Sequence, residues 1–484
     1  MRGKPVLALL VLLVLGAVPS GAAAAPVLVL GRDGHASVRN DPFVSGPART
    51  PAPVAGAASR PVAGAASRAP ATITSELARL YRLHAITQAA YRQYGASFKR
   101  ALATEKRLRG TRLGELEAVT ETLHQIAAAG SLTPSRLPAL FSTLDRNREW
   151  WSTGPLPSSG ERVEFAGSQL VWEYYPGQGI QLQVLGSFGK ADGLYTAGRA
   201  DYPAMEQLLS ELIPLAAQRG GGLAWEYYFH FDGGAPPWTS AMSQATGLEA
   251  LTRAYQATGN RYYLGVANQA LPLFSVGPPI GVELQTPLGR RYLQYTFAPG
   301  ASIINAFLQT LIGLDDYAHV SGDPQAAQLF AAGDAEAMAE VPQFDTGAWS
   351  LYQPGVEDSL DYHELVTGFL RRLCALTAAT VYCATAQRFR SYLTTPPALQ
   401  QLTLRGRARK AIVLRFRLSK VSRVGVVVTQ GRTTIFQTSA NFPYGVDRVT
   451  IPALRRPGAY GIRLAATDLA GNFARSTGTL QVSP

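Results

Sequence analysis

Two tyrosines, Tyr352 and Tyr362, flank a turn-rich loop that also carries Asp361 and His363. Phenol, carboxylate and imidazole are side chains that move protons in general acid–base chemistry. Gly347, Pro354 and Gly355 mark the loop as a series of turns. Leu365, Val366, Phe369, Leu370 and Leu373 follow at helical spacing, so an amphipathic helix anchors it. Reactive groups are often displayed on loops held by a rigid scaffold. A structural reading stands beside the catalytic one: tyrosines next to Asp-Tyr-His can be aromatic staples that close a helix pair. The six histidines are scattered, and neither His-Glu-x-x-His nor Cys-x-x-Cys spacing occurs. A phosphate-binding glycine loop and a Gly-x-Ser-x-Gly elbow are absent too. No metal or other cofactor is expected.

The elements that must position these residues fall into blocks. From Thr72 to about Leu144 the pattern is helical, with Leu113, Leu116, Val119, Leu123 and Ile126 forming one stripe. Residues 160–198 switch to period two, and Pro176-Gly-Gln-Gly179 reads as the turn of a β-hairpin. Helical patterning returns at Met205–Ala217, and Ala224–Phe231 is strand-like. Helices are then expected over Ser240–Thr258, Arg261–Phe274, Ser302–Val320, Pro324–Ala339, Tyr362–Leu376 and Thr380–Leu393. Successive helix pairs with loops at one end suggest a toroid of hairpins whose mouth forms a cleft. After Pro397 the pattern alternates again in short strands between turns, enough for one β-sandwich. Its last hairpin resembles those of bacterial immunoglobulin-like or fibronectin-type modules. The fold class is mixed α+β: a mainly helical α/α toroid-like domain with a small preceding β region, plus a C-terminal β-sandwich.

The 484 residues, 46% hydrophobic and 16% charged, suffice for two or three domains with real cores. A formal charge of +12 biases the surface toward acidic partners. Arg2 and Lys4 precede an apolar run from Val6 to Val18 and the small residues Ala22-Ala23-Ala24, the pattern of a secretory signal over 1–24. An exported protein, extracellular or held at the cell envelope, is therefore expected, with no membrane contact after cleavage. Residues 25–71 read as a low-complexity linker, in which Pro53–Arg60 repeats unchanged at Pro61–Arg68. The remaining divisions are 72–150, an N-terminal helical region; 151–398, the catalytic region; and 399–484, the sandwich. The two cysteines, Cys374 and Cys383, are read either as a disulfide from a helix end to the next segment or as two buried thiols.

Three stretches, in order, resemble the C-terminal domain of heparosan D-glucuronyl C5-epimerases. They are Pro236-Pro-Trp238-Thr-Ser240-Ala-Met242-Ser-Gln244, then Leu293-Gln294-Tyr295 with Asn305-Ala-Phe307 and Leu311-Ile-Gly-Leu314, and the opening loop with Asp361-Tyr362-His363. Together they span roughly 160–395. The resemblance implies Tyr295, Tyr352 and Tyr362 as catalytic residues. It implies substrate contacts from Trp238, Gln244, Gln294, Asn305, Asp361 and His363, although Trp238, Gln244 and Asn305 read equally as core or capping residues. Gln294 stands where the family has an acidic residue, and Gln353-Pro354-Gly355 replaces its Asp-Leu-Arg. A carboxylate-binding arginine is therefore missing from its expected place, and Arg290 or Arg291 is the expected substitute.

Epimerisation at C5 of a hexuronate removes a proton α to a carboxylate and returns one from the opposite face. It needs two acid/base groups and a partner for the developing enediolate. A tyrosine serves best if a cationic neighbour lowers its pKa. The expected partner is a uronate-containing acidic polysaccharide, not nucleic acid, and the resemblance implies a homodimer. The same α-proton chemistry also suits a uronate polysaccharide lyase, and a non-catalytic envelope glycan-binding protein is the third reading.

Overall fold

The computed structural model of the chain describes residues 25–44 and 71–484. The expected signal segment and the repeat at 53–68 lie outside the described residues. Part of the expected linker is folded. Strands β1 (Ala25–Leu30) and β2 (Ala36–Asp41) form a hairpin on the edge of a sheet. That sheet continues through β3 (Arg162–Phe165), β4 (Trp172–Tyr175) and β5 (Gly179–Leu182), in the order β2-β1-β3-β4-β5. The pull into the sheet is apolar: Val27 and Leu30 are buried, and β1 runs parallel to β3. Between the two parts of the sheet lie helices α1 (Ile73–Arg82), α2 (Gln88–Glu105), α3 (Gly110–Ala128) and α4 (Leu137–Thr153). Thr72 opens the first with a capping box, its Oγ1 accepting from Ser75 N–H.

Four helical hairpins follow. They pair α5 (Val184–Ala197) with α6 (Tyr202–Leu212), α7 (Ala241–Thr258) with α8 (Tyr262–Ala270), α9 (Ile304–Ser321) with α10 (Pro324–Glu340), and α11 (Leu360–Thr377) with α12 (Thr380–Tyr392). The links carry two-stranded hairpins: β6 (Ala217–Arg219) with β7 (Gly222–Ala224), β8 (Glu283–Gln285) with β9 (Arg290–Tyr292), and β10 (Leu351–Gln353) with β11 (Val356–Glu357). The helix α5 corrects the sequence reading, which extended β structure to residue 198. Cys374 and Cys383 are disulfide-bonded, tying the end of α11 to the start of α12.

The first helix of each hairpin lines the interior, and these four run in one direction. Their first turns converge: Leu185, Met242, Ala306 and Tyr362 meet in one apolar cluster. Two to three turns on, a buried ion network joins them again. Arg253 of α7 holds Asp192 of α5 at 3.0 Å, while Arg372 of α11 reaches Glu249 of α7 at 2.8 Å and Asp316 of α9. Elements joined at both levels in the same order are parallel. Gly313 sets the closest approach, because a Cβ there would lie 2.1 Å from the carbonyl oxygen of Ala245. With α7 and α9 buried along most of their length, each enclosed Leu or Phe contributes about 1.5–3 kcal/mol.

The C-terminal region is β-rich. Strands β12 (Leu399–Gln401), β14 (Ile412–Leu418) and β17 (Gly445–Ile451) form one sheet. The second contains β13 (Arg405–Arg407), β19 (Phe473–Ser483), β18 (Gly458–Asp468), β15 (Ser422–Gln430) and β16 (Thr433–Phe442), in that order. Alternating residues such as Leu414, Phe416, Val426 and Ile462 turn inward to one shared core. This module is fixed to the helical part. Lys420 is buried with its Nζ 2.6 Å from Asp468 and donating to the Tyr392 carbonyl at 2.7 Å. Glu357 of β11 accepts from Val421 N–H and Tyr444 N–H, each at 2.8 Å.

Candidate active site

Three segments distant in sequence bring Tyr295, Tyr352 and Tyr362 together over the first turns of the parallel helices. Tyr295 follows β9, and its segment is stitched to the start of α7: Ala241 N–H donates to the Leu293 carbonyl at 2.9 Å, and Thr296 N–H to the Thr239 carbonyl at 3.1 Å. Tyr352 sits on β10, where pairing with β11 turns it inward until it is 6% exposed. Tyr362 lies in the first turn of α11, and Ser359 Oγ caps its backbone N–H at 3.4 Å. The rings of Tyr352 and Tyr362 are 5.3 Å apart, and Tyr295 joins them in the same apolar cluster.

Burial dominates the titration of all three phenols and raises their pKa values. This corrects the expectation of a lowered tyrosine pKa: the neutral form prevails when the site is empty of substrate. One cation does act on Tyr362 in the opposite sense, and it is Arg162 on β3. Arg162 is ion-paired with Glu173 across the β3–β4 register, and both are buried. The pair also acts electrostatically on Tyr175 and Tyr227, the latter pushed up to about 12 by burial. Arg290 and Arg291 do not take the arginine's place: they pair with Glu283 at 3.0 Å and Glu340 at 2.6 Å.

The other residues expected at the site divide into contact and support. Gln294 lies beside Tyr295, lowers its pKa by hydrogen bonding, and accepts from Ser240 Oγ at 3.1 Å. Asp361 is exposed on the first turn of α11. Asn305 is buried, and its Oδ1 has no hydrogen-bond partner among the described residues. Trp238 stacks on Tyr227 at 4.2 Å, meets Tyr295 edge-on at 5.8 Å and is 4% exposed, so it backs the tyrosine rather than standing open to a sugar. Gln244 is fully buried, accepting from Trp225 N–H at 3.0 Å and donating to the Trp225 carbonyl at 2.8 Å. His363 is equally enclosed. It stacks on Trp349 at 3.8 Å, its Nε2 is 2.9 Å from the Phe389 carbonyl, and its Nδ1 is 2.7 Å from Ser350 Oγ. Gln244 and His363 therefore hold the site's walls instead of touching substrate, because their polar atoms are already engaged inside the fold.

Sequence reasoning missed Arg162, Glu173, Tyr175 and Tyr227. The available signal was a charge at alternate positions of strands otherwise apolar: Arg162-Val-Glu-Phe facing Trp-Glu173-Tyr-Tyr. Two opposite charges inside a buried sheet ask for each other or for a ligand.

The structure gathers clustered phenols, a buried guanidinium that acts on one of them, and the N-terminal, positive ends of four helices. The sequence model of the D-glucuronyl C5-epimerase C-terminus matches residues 219–391. A D-glucuronyl C5-epimerase of Caenorhabditis elegans is 29% identical over 178 residues, covering 32% of this chain and 29% of the relative. An uncharacterized protein of Methanocaldococcus jannaschii is 30% identical over 137 residues, covering 27% and 44% respectively. Residues 219–391 are thus similar to the C-terminal domain of the D-glucuronyl C5-epimerase family, and the chain spans less than half the length of these relatives. Among solved structures, the cellobiose 2-epimerase of Bacillus thermoamylovorans aligns with TM-score 0.34 at 10% identity, over 58% of this chain and 74% of its own. A GH76 α-mannanase of Bacteroides thetaiotaomicron aligns with the same TM-score at 12% identity, over 47% and 65%.

Proposed function

We propose that the protein is an exported uronyl C5-epimerase that inverts C5 in a uronate-containing polysaccharide. The observation that carries this is the meeting of Tyr295, Tyr352 and Tyr362 in one cluster, with Arg162 favouring the ionised form of Tyr362. Tyr362, the phenol on which Arg162 acts, takes the C5 proton in its ionised form. Arg162 and the helix N-termini then hold the enediolate charge. Tyr352, kept protonated by burial and by Tyr295 beside it, returns a proton to the opposite face of the sugar. The family match and the signal-like N-terminus support the reading.

The test is incubation of the protein with a polyuronate in D2O, followed by proton NMR and ultraviolet absorbance. Epimerisation replaces the C5 proton with deuterium and creates no unsaturated uronate. Appearance of unsaturated ends would make the protein a lyase, using the same proton abstraction with loss of the C4 oxygen. Binding without exchange would reduce it to a glycan-binding protein.

A further inference from the structure

The charge of this chain is concentrated in one place. Residues 399–484 hold 14 of its 45 Lys and Arg residues and 2 of its 33 Asp and Glu residues. Their formal charge therefore equals the +12 of the whole chain, and the remainder is neutral. Lys420 and Asp468 neutralise each other in the interior. Among the described residues, none of the module's exposed arginines makes an ion pair.

On the outer face of the β12–β14–β17 sheet these charges meet a groove. Arg415 and Arg448 stand directly opposite one another in the β14–β17 register, an arrangement that costs stability in the absence of an anion. Arg417 follows two residues along β14, about 7 Å away. The groove, of about 540 Å3, is lined by Arg415, Arg448, Val413, Val446, Phe442 and Asp447. Val413 and Val446 are 47% and 44% exposed, a wide apolar surface for strand residues. Two guanidinium groups beside an apolar floor complement the carboxylate and the C–H face of an acidic sugar.

We propose that this face binds uronate residues of the polymer, with Arg415 and Arg448 on the carboxylate and Val413 and Val446 against the ring. The choice of polymer rests on the epimerase reading, whereas the anion-binding groove stands on its own charge and shape. Its position suits a tether. Tyr444, just before β17, donates its backbone N–H to Glu357 of β11, and β11 pairs with the strand bearing Tyr352. A chain lying along β14 and β17 is thus led toward the hairpin of the catalytic site.

The experiment is a binding titration of the full chain with polyglucuronate, with a neutral polysaccharide of equal length, and with phosphatidylserine vesicles. It compares wild type, Arg415→Gln/Arg448→Gln and Tyr352→Phe. The proposal expects polyglucuronate to bind in preference to both other probes. The double variant should lose tenfold or more in affinity and much of the salt dependence, with an unchanged turnover rate on short uronate oligosaccharides. Tyr352→Phe should bind as wild type, so loss of catalysis and loss of tethering are read separately. Polyglucuronate affinity unchanged in a folded double variant, or preference for vesicles, overturns the proposal. Should the double variant melt early, Arg448→Gln alone is read the same way, with a smaller loss.

Discussion

In the proposed mechanism Arg162 is the residue on which the chemistry turns. It is the cation that favours the charged form of Tyr362, and the proposed mechanism assigns it to the enediolate. Arg162→Gln is expected to lower C5 exchange by about 100-fold or more, in the range of a lost transition-state contact. It should also lower stability by about 3–5 kcal/mol, because Glu173 is left charged and buried. Arg162→Gln/Glu173→Gln should recover most of the stability and none of the activity. Thermal melts and exchange rates measured on the same samples check both statements, and restored activity in the double variant would remove Arg162 from the mechanism. The phenols make a further prediction. Their raised pKa values mean that the ionised fraction of the base grows tenfold per pH unit below its pKa. Exchange should therefore climb steadily from pH 7 to 9. Above pH 10, near the ordinary tyrosine value, the unfolded chain ionises first and stability should fall.

At the scale of elements, α11 and the β10–β11 hairpin are locked by Asp358, Ser350 and His363. Burial pushes Asp358 up to about 7 and holds His363 down to about 4. The depressed His363 contributes stability above its unfolded value of 6.5, lost as pH falls toward 4. The raised Asp358 contributes stability below its unfolded value of 3.8, lost as pH rises through 7. Between pH 7 and 4 the two oppose each other. Asp358→Asn should expose the histidine alone, so that stability falls by up to about 3 kcal/mol on acidification across that window. A flat pH profile in the variant, read by denaturant titration, would contradict this. Between α7 and α9, Gly313→Ala should cost at least about 1–3 kcal/mol, since its methyl would meet backbone rather than a movable side chain. An unchanged melting temperature would show that the helices are not held at this distance. The sequence disclosed α7, α9, α10, α11 and α12 within a few residues because their apolar stripes are long and regular. It hid α5, whose Gly186, Gly189 and Gly193 weaken the helical signal and whose burial is decided by neighbours. It hid β1 and β2 because Ala- and Pro-rich flanks masked a Val-Leu-Val-Leu strand. It pointed to the three tyrosines through motifs, and could not show Arg162, because a buried cross-strand pair depends on register rather than on local pattern.

Over the whole molecule, a neutral helical part bearing the tyrosines is clamped to a strongly basic β-module. The clamp is Lys420, which sits over Trp349 at 5.2 Å, bonds backbone carbonyls of the α12 end and neutralises Asp468. Lys420→Met should leave Asp468 unpaired and split a joint thermal transition into two. Lys420→Met/Asp468→Asn should regain part of the loss, and a single unchanged transition in both variants would show that the modules are coupled elsewhere. Coupling matters because a tether is useful only when its distance from the reacting centre is fixed. The account stands most directly on the tyrosines themselves. The deciding measurement is deuterium incorporation at C5 of polyglucuronate by Tyr295→Phe, Tyr352→Phe and Tyr362→Phe beside the wild type, each with its melting curve. Loss of a single hydroxyl should leave folding intact and reduce exchange by about 10²–10⁴-fold for Tyr352 and Tyr362, with a smaller loss for Tyr295. Wild-type exchange in folded Tyr352→Phe and Tyr362→Phe would contradict the assignment and place the proton transfer elsewhere.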